Sequence, residues 1–73
     1  MQIMDAREYL KSNGRAHCKL VAEQAGTTLA YFEQIAYGFR RPSVSLAKRL
    51  DEASKGALHA QQLVFAPLRS HNE

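Results

Sequence analysis

The chain reads as an all-α protein, a single small domain of four to five short helices. Three observations predict this. Gly14, Gly26, Gly38, Pro42 and Gly56 cut the 73 residues into short pieces, and these two residue types are the strongest local punctuators of regular structure. Within the pieces, apolar residues recur three and four apart rather than alternating. The pieces also open on side chains that cap helices, namely Asp5, Thr27 or Thr28, and Ser43.

The elements follow in order. A first helix is expected over roughly Asp5 to Asn13, with Asp5 as N-cap, Gly14 just past its end, and Ala6, Tyr9 and Leu10 as its apolar stripe. Asn13-Gly14-Arg15 makes a turn. A second helix covers roughly Ala16 to Ala25, with Val21, Ala22 and Ala25 on one face and Gly26 as its stop. The third begins at Thr27 or Thr28 and runs to Tyr37. Phe32, Ile35 and Ala36 face inward, and Gly38 terminates it. Ser43 caps a fourth, roughly Val44 to Ser54, whose Leu46, Ala47, Leu50 and Ala53 face inward and which Gly56 ends. A short fifth turn is expected near His59 to Leu63, with Val64, Phe65 and Leu68 after it. Leu63-Val64-Phe65 could instead form a short extended edge. Residues 64–73 read as a tail.

Composition narrows the function classes. A hydrophobic content of 45% is too high for a disordered chain. The apolar runs are too short to span a bilayer, and MQIMDAREYL lacks the apolar core of a signal peptide. One cysteine, Cys18, excludes an internal disulfide framework, and no Cys/His set has zinc spacing. His17, His59 and His71 show no ligand or catalytic spacing. No nucleophilic triad or paired-carboxylate constellation is visible, so neither an enzyme nor a cofactor is expected. A bacterial or phage-infected cytoplasm fits this cysteine usage. The net charge of +3 is compatible with nucleic-acid binding.

The stretch V-A-E-Q-A-G-T-T-L-A-Y-F-E-Q-I-A-Y-G carries the functional pattern. Two helices joined by a three- or four-residue turn cross steeply and touch near the turn. Ala22 is small enough for that contact. Gly26 supplies the positive φ of a tight turn. Val21, Phe32 and Ile35 close the wedge. This is a helix-turn-helix pattern, which in DNA-binding proteins pushes the second helix into a major groove.

On these residues the sequence resembles the phage Cro/repressor type of helix-turn-helix protein, and most of all the YdaS-like group of Cro-like antitoxins and repressors. The resemblance rests on EYL (Glu8 to Leu10), VAEQAGTT (Val21 to Thr28), YFEQIAYGFRRPS (Tyr31 to Ser43) and LAKRLDEASKGAL (Leu46 to Leu58). It covers about residues 8 to 63. It implies a lambda-repressor-like fold and a DNA-binding regulator of prophage or horizontally acquired genes. Two places depart from the pattern. Cys18 stands where such proteins often carry a phosphate-contacting Gln. Leu63-Val64-Phe65-Ala66-Pro67 stands where many relatives end in L-R-P-D.

Helical geometry assigns roles without the family. With Phe32 and Ile35 inward, Ala30, Gln34 and Tyr37 fall on the outermost face, with Leu29 and Glu33 beside them. These five are the candidate base readers. Gln34 can pair with an adenine edge, Glu33 can accept from cytosine, and Ala30 or Leu29 can meet a thymine methyl. Tyr37 can stack on a sugar or simply cover the loop. Thr28, Arg40, Arg41, Arg15 and Lys19 are the candidate phosphate contacts. Glu33 either reads a cytosine or orients Arg40 or Arg41. Lys48, Arg49 and Lys55 read as surface residues of the fourth helix.

The expected partner is a double-stranded DNA operator, bound by a homodimer whose surface includes Val64, Phe65 and Leu68. One alternative is an antitoxin that also represses its own promoter and contacts a toxin protein. Another is a small helical adaptor that binds a protein through the same exposed helix.

Overall fold

The computed structural model describes residues 5–66. Four helices follow one another: α1 Ala6–Gln24, α2 Leu29–Ala36, α3 Val44–Ala53 and α4 Ala60–Phe65. No strand occurs among the described residues. None of these helices is long and apolar enough to cross a membrane.

The first two expected helices form a single element with a break. Asp5 caps α1 with a reciprocal capping box: its carboxylate accepts from the Glu8 amide at 2.8 Å, and Glu8 Oε1 accepts from the Asp5 amide at 3.4 Å. At Gly14 the backbone leaves the helical region, with φ 84° and ψ 164°. Two side-chain hydrogen bonds secure the break. Asn13 Nδ2 donates to the Tyr9 carbonyl at 3.0 Å, and Tyr9 Oη and His17 Nε2 share a 2.7 Å hydrogen bond across it.

Helices α1, α2 and α3 end alike. After α1, the amide of Gly26 donates to the Glu23 carbonyl and that of Thr27 to the Ala22 carbonyl. After α2, Gly38 donates to Ile35 and Phe39 to Gln34. After α3, Lys55 donates to Glu52 and Gly56 to Asp51. Each pair is a Schellman closure, which needs a left-handed residue just past the helix. Gly26 (φ 84°) and Gly38 (φ 83°) supply it at no steric cost. At the third closure the role falls to Lys55 (φ 57°), with the glycine one residue late.

α1 packs on α2 and α3, and α3 packs on α4. The core at their meeting point is led by Phe32, Leu50, Leu58 and Cys18, all fully enclosed. Ala22 and Ala25 are also fully buried, so the helices approach closely beside the turn, as the small residues require. Burying Phe32 alone contributes roughly 1.5–3 kcal/mol.

Two expectations are corrected at the C-terminal end. The fifth turn extends into α4, so Val64 and Phe65 are helical rather than an extended edge or the start of a tail. The cause is long-range: Leu63 is buried, and Asp51 Oδ2 accepts from the Ala60 amide at 2.9 Å, capping α4 from α3. Leu68, His71 and the rest of 67–73 lie outside the described residues.

Candidate nucleic-acid interface

Ala25 to Thr28 link α1 to α2. Thr28 sits at the N-cap of α2, where its hydroxyl accepts from the Tyr31 amide at 3.1 Å. Its own proton stays available to an outside acceptor. Phe32 and Ile35 are buried as expected, which rotates Ala30, Gln34 and Tyr37 to the exposed side. Leu29 and Glu33 are half-buried at its edges, and Leu29 packs part of its side chain against the core. Tyr31 is likewise half-buried against the core.

No Lys or Arg lies on α2 itself, yet three arginines reach its outward rim from elsewhere. Arg15, just past the break in α1, donates through Nε to Glu33 Oε2 at 2.8 Å. Arg40, in the loop after α2, donates through Nε to Gln34 Oε1 at 2.8 Å. The guanidinium of Arg7, in the first turn of α1, lies 5.9 Å from the centre of the Tyr37 ring. That distance is the outer limit of a cation–π contact. Arg15 remains 71% exposed, so its ion pair positions the side chains rather than stabilising the fold greatly.

These contacts change several sequence-based assignments. Glu33 orients Arg15, not Arg40 or Arg41. Arg41 turns toward the end of α4, where its Nε donates to the Ala66 carbonyl at 2.9 Å. Arg40 and Arg41 therefore point to different neighbours despite their adjacency. Lys19 is exposed on the second half of α1. Cys18 is fully buried and cannot reach a phosphate. Burial, and then the nearby Glu33 charge, push its thiol above its ordinary value, which disfavours the reactive thiolate. Burial likewise raises the Tyr9 phenol.

Two arginines were missed from the sequence. Arg7 is one. Arg49 is the other: exposed on α3 as expected, it also donates through Nε to the Ala25 carbonyl at 2.7 Å and through Nη1 to Ser45 Oγ at 2.6 Å. It thus clamps the turn that launches α2 onto α3. The i to i+4 spacing of Ser45 and Arg49 hinted at the second bond. Nothing local hinted at the first.

A second exposed feature is apolar. Val44 (58% exposed) and Phe65 (75% exposed) border a shallow apolar hollow between α3 and α4, beside Val64 and the stem of Lys48. Neither a protein family, nor a curated protein, nor a solved structure matches this chain.

Proposed function

We propose that this chain is a sequence-specific double-stranded DNA-binding transcriptional regulator of the Cro/repressor type. In this reading α2 enters the major groove and the protein acts as a repressor by occupying an operator. One observation carries it. The exposed side of α2 offers uncharged groups suited to base edges, and cations attach to its rim from outside the helix. Base edges present donors, acceptors and methyls, whereas phosphates need positive charge. Ala30, Gln34 and Tyr37 serve the first need. Arg7 and Arg15 serve the second from the rim, Arg41 from the end of α4 and Lys19 from the second half of α1, and Thr28 adds a hydroxyl beside the helix-end amides.

The exposed apolar pair Val44 and Phe65 supports a homodimer through the α3–α4 face. A dimer would span half-sites roughly 34 Å apart. The same face equally suits a toxin protein, which keeps an autoregulating antitoxin as the second reading. An adaptor that bound protein rather than DNA through α2 would have little use for the arginine rim. The protein would work in the cytoplasm of a bacterial or phage-infected cell.

The test is titration of a random duplex at low salt, paired with size exclusion of the free protein. The reading expects measurable affinity for any duplex and a dimer on the column. An affinity for duplex DNA that is undetectable even at low salt would sink it.

A further inference from the structure

Gln34 and Arg40 are joined twice. The Gln34 backbone carbonyl accepts from the amides of Phe39 at 2.9 Å and Arg40 at 3.3 Å, which folds the loop back over the end of α2. The Gln34 side chain then accepts from Arg40 Nε at 2.8 Å. A guanidinium Nε–H can only donate, so the oxygen of the amide must face it. The amide nitrogen is thereby turned the other way. Chemistry fixes this orientation, because the flipped amide would set donor against donor.

A free glutamine reads adenine with both ends of its amide, the oxygen accepting from N6 and the nitrogen donating to N7. Here the oxygen is engaged by Arg40. What the pair still offers is mostly donors, the amide NH2 of Gln34 and the terminal NH2 groups of Arg40, against the one remaining lone pair of the Gln34 oxygen. Guanine is the base whose major-groove edge shows two acceptors, N7 and O6. We infer that Gln34 and Arg40 act as one donor unit that selects guanine, which makes Arg40 a specificity-determining residue rather than a phosphate contact. This rests on the DNA-binding reading above. It departs from the sequence expectation, in which Gln34 takes adenine and Arg40 meets the backbone.

The geometry makes a directional prediction. Removing Arg40 takes away the surplus donors and leaves the whole Gln34 amide to read a base, so the preferred base changes from guanine to adenine. Removing Arg41, whose Nε is engaged at the end of α4, leaves base preference unchanged.

The experiment is selection from a random duplex library with the wild-type chain and the Arg40→Ala, Gln34→Ala and Arg41→Ala variants. Both Gln34 and Arg40 are exposed, and a melting curve for each variant checks that it folds. The wild type is expected to select guanine at one position of each half-site, by roughly tenfold or more over adenine. Arg40→Ala should reverse that preference toward adenine. Gln34→Ala should weaken it, and Arg41→Ala should lower affinity for all duplexes alike. If Arg40→Ala lowered affinity uniformly and left the selected base unchanged, the inference would be wrong and DNA binding would stand. If the wild type bound no duplex at low salt, both would fall together.

Discussion

Helices α2 and α3 are built to the same plan and show opposite faces. Each starts on a hydroxyl cap, Thr28 or Ser43, whose oxygen accepts from an amide three residues on at 3.1 Å. Each buries one stripe, Phe32 and Ile35 in α2, and Leu46, Ala47 and Leu50 in α3. Each ends in the same pair of closing hydrogen bonds. Their outward sides differ. α3 exposes Ser45, Lys48, Arg49 and Glu52, the mixed polar surface of an ordinary solvated helix. α2 exposes Ala30 and Gln34, and its cations come from Arg7, Arg15 and Arg40, none of which belongs to it. The plan of a helix is therefore a poor guide to its use. The informative difference is where its charge originates.

The comparison can be broken first at the core. Phe32→Ala should cost about 3–5 kcal/mol and Leu50→Ala about 2–5 kcal/mol, read by denaturant unfolding, because both side chains are fully enclosed. If only one were costly, the two helices would not share a core. The caps come next. Thr28→Ala and Ser43→Ala should each cost about 1 kcal/mol by the same measurement. Equal losses would sharpen the likeness of the two helices, and a negligible loss at either would end it. The smallest effect lies at the closures. Lys55→Gly relieves a left-handed residue and should raise stability by roughly 0.5–1 kcal/mol, seen as a higher melting temperature. A lower melting temperature would mean that Lys55 makes compensating contacts.

What could be read from the sequence was what is local. The Asp5, Thr28 and Ser43 caps act on amides three residues away, and Gly26 and Gly38 act on the turn in which they sit. The inner stripes follow from helical period alone. The features that escaped act over distance. Asp51 caps α4 across nine residues, Arg15 reaches Glu33 across 18, and Arg49 reaches Ala25 across 24. Nothing in the spacing of these residues marks them, because each contact exists only once the helices have packed. The outward set on α2 was legible, and the identity of its charged rim was not. Adjacent arginines illustrate this best. Arg40 and Arg41 look interchangeable in sequence, yet one bonds Gln34 and the other the Ala66 carbonyl.

On the proposed function, α2 meets DNA with attraction borrowed from arginines outside the helix. The most direct measurement is the salt dependence of duplex affinity for the wild type and for an Arg7→Ala/Arg15→Ala double variant. Each phosphate contact contributes about −0.9 to the slope of log K against log salt. A steep negative slope is expected for the wild type, shallower by up to about 1.8 in the variant. A slope unchanged by the double substitution, or no duplex binding to measure, would contradict it.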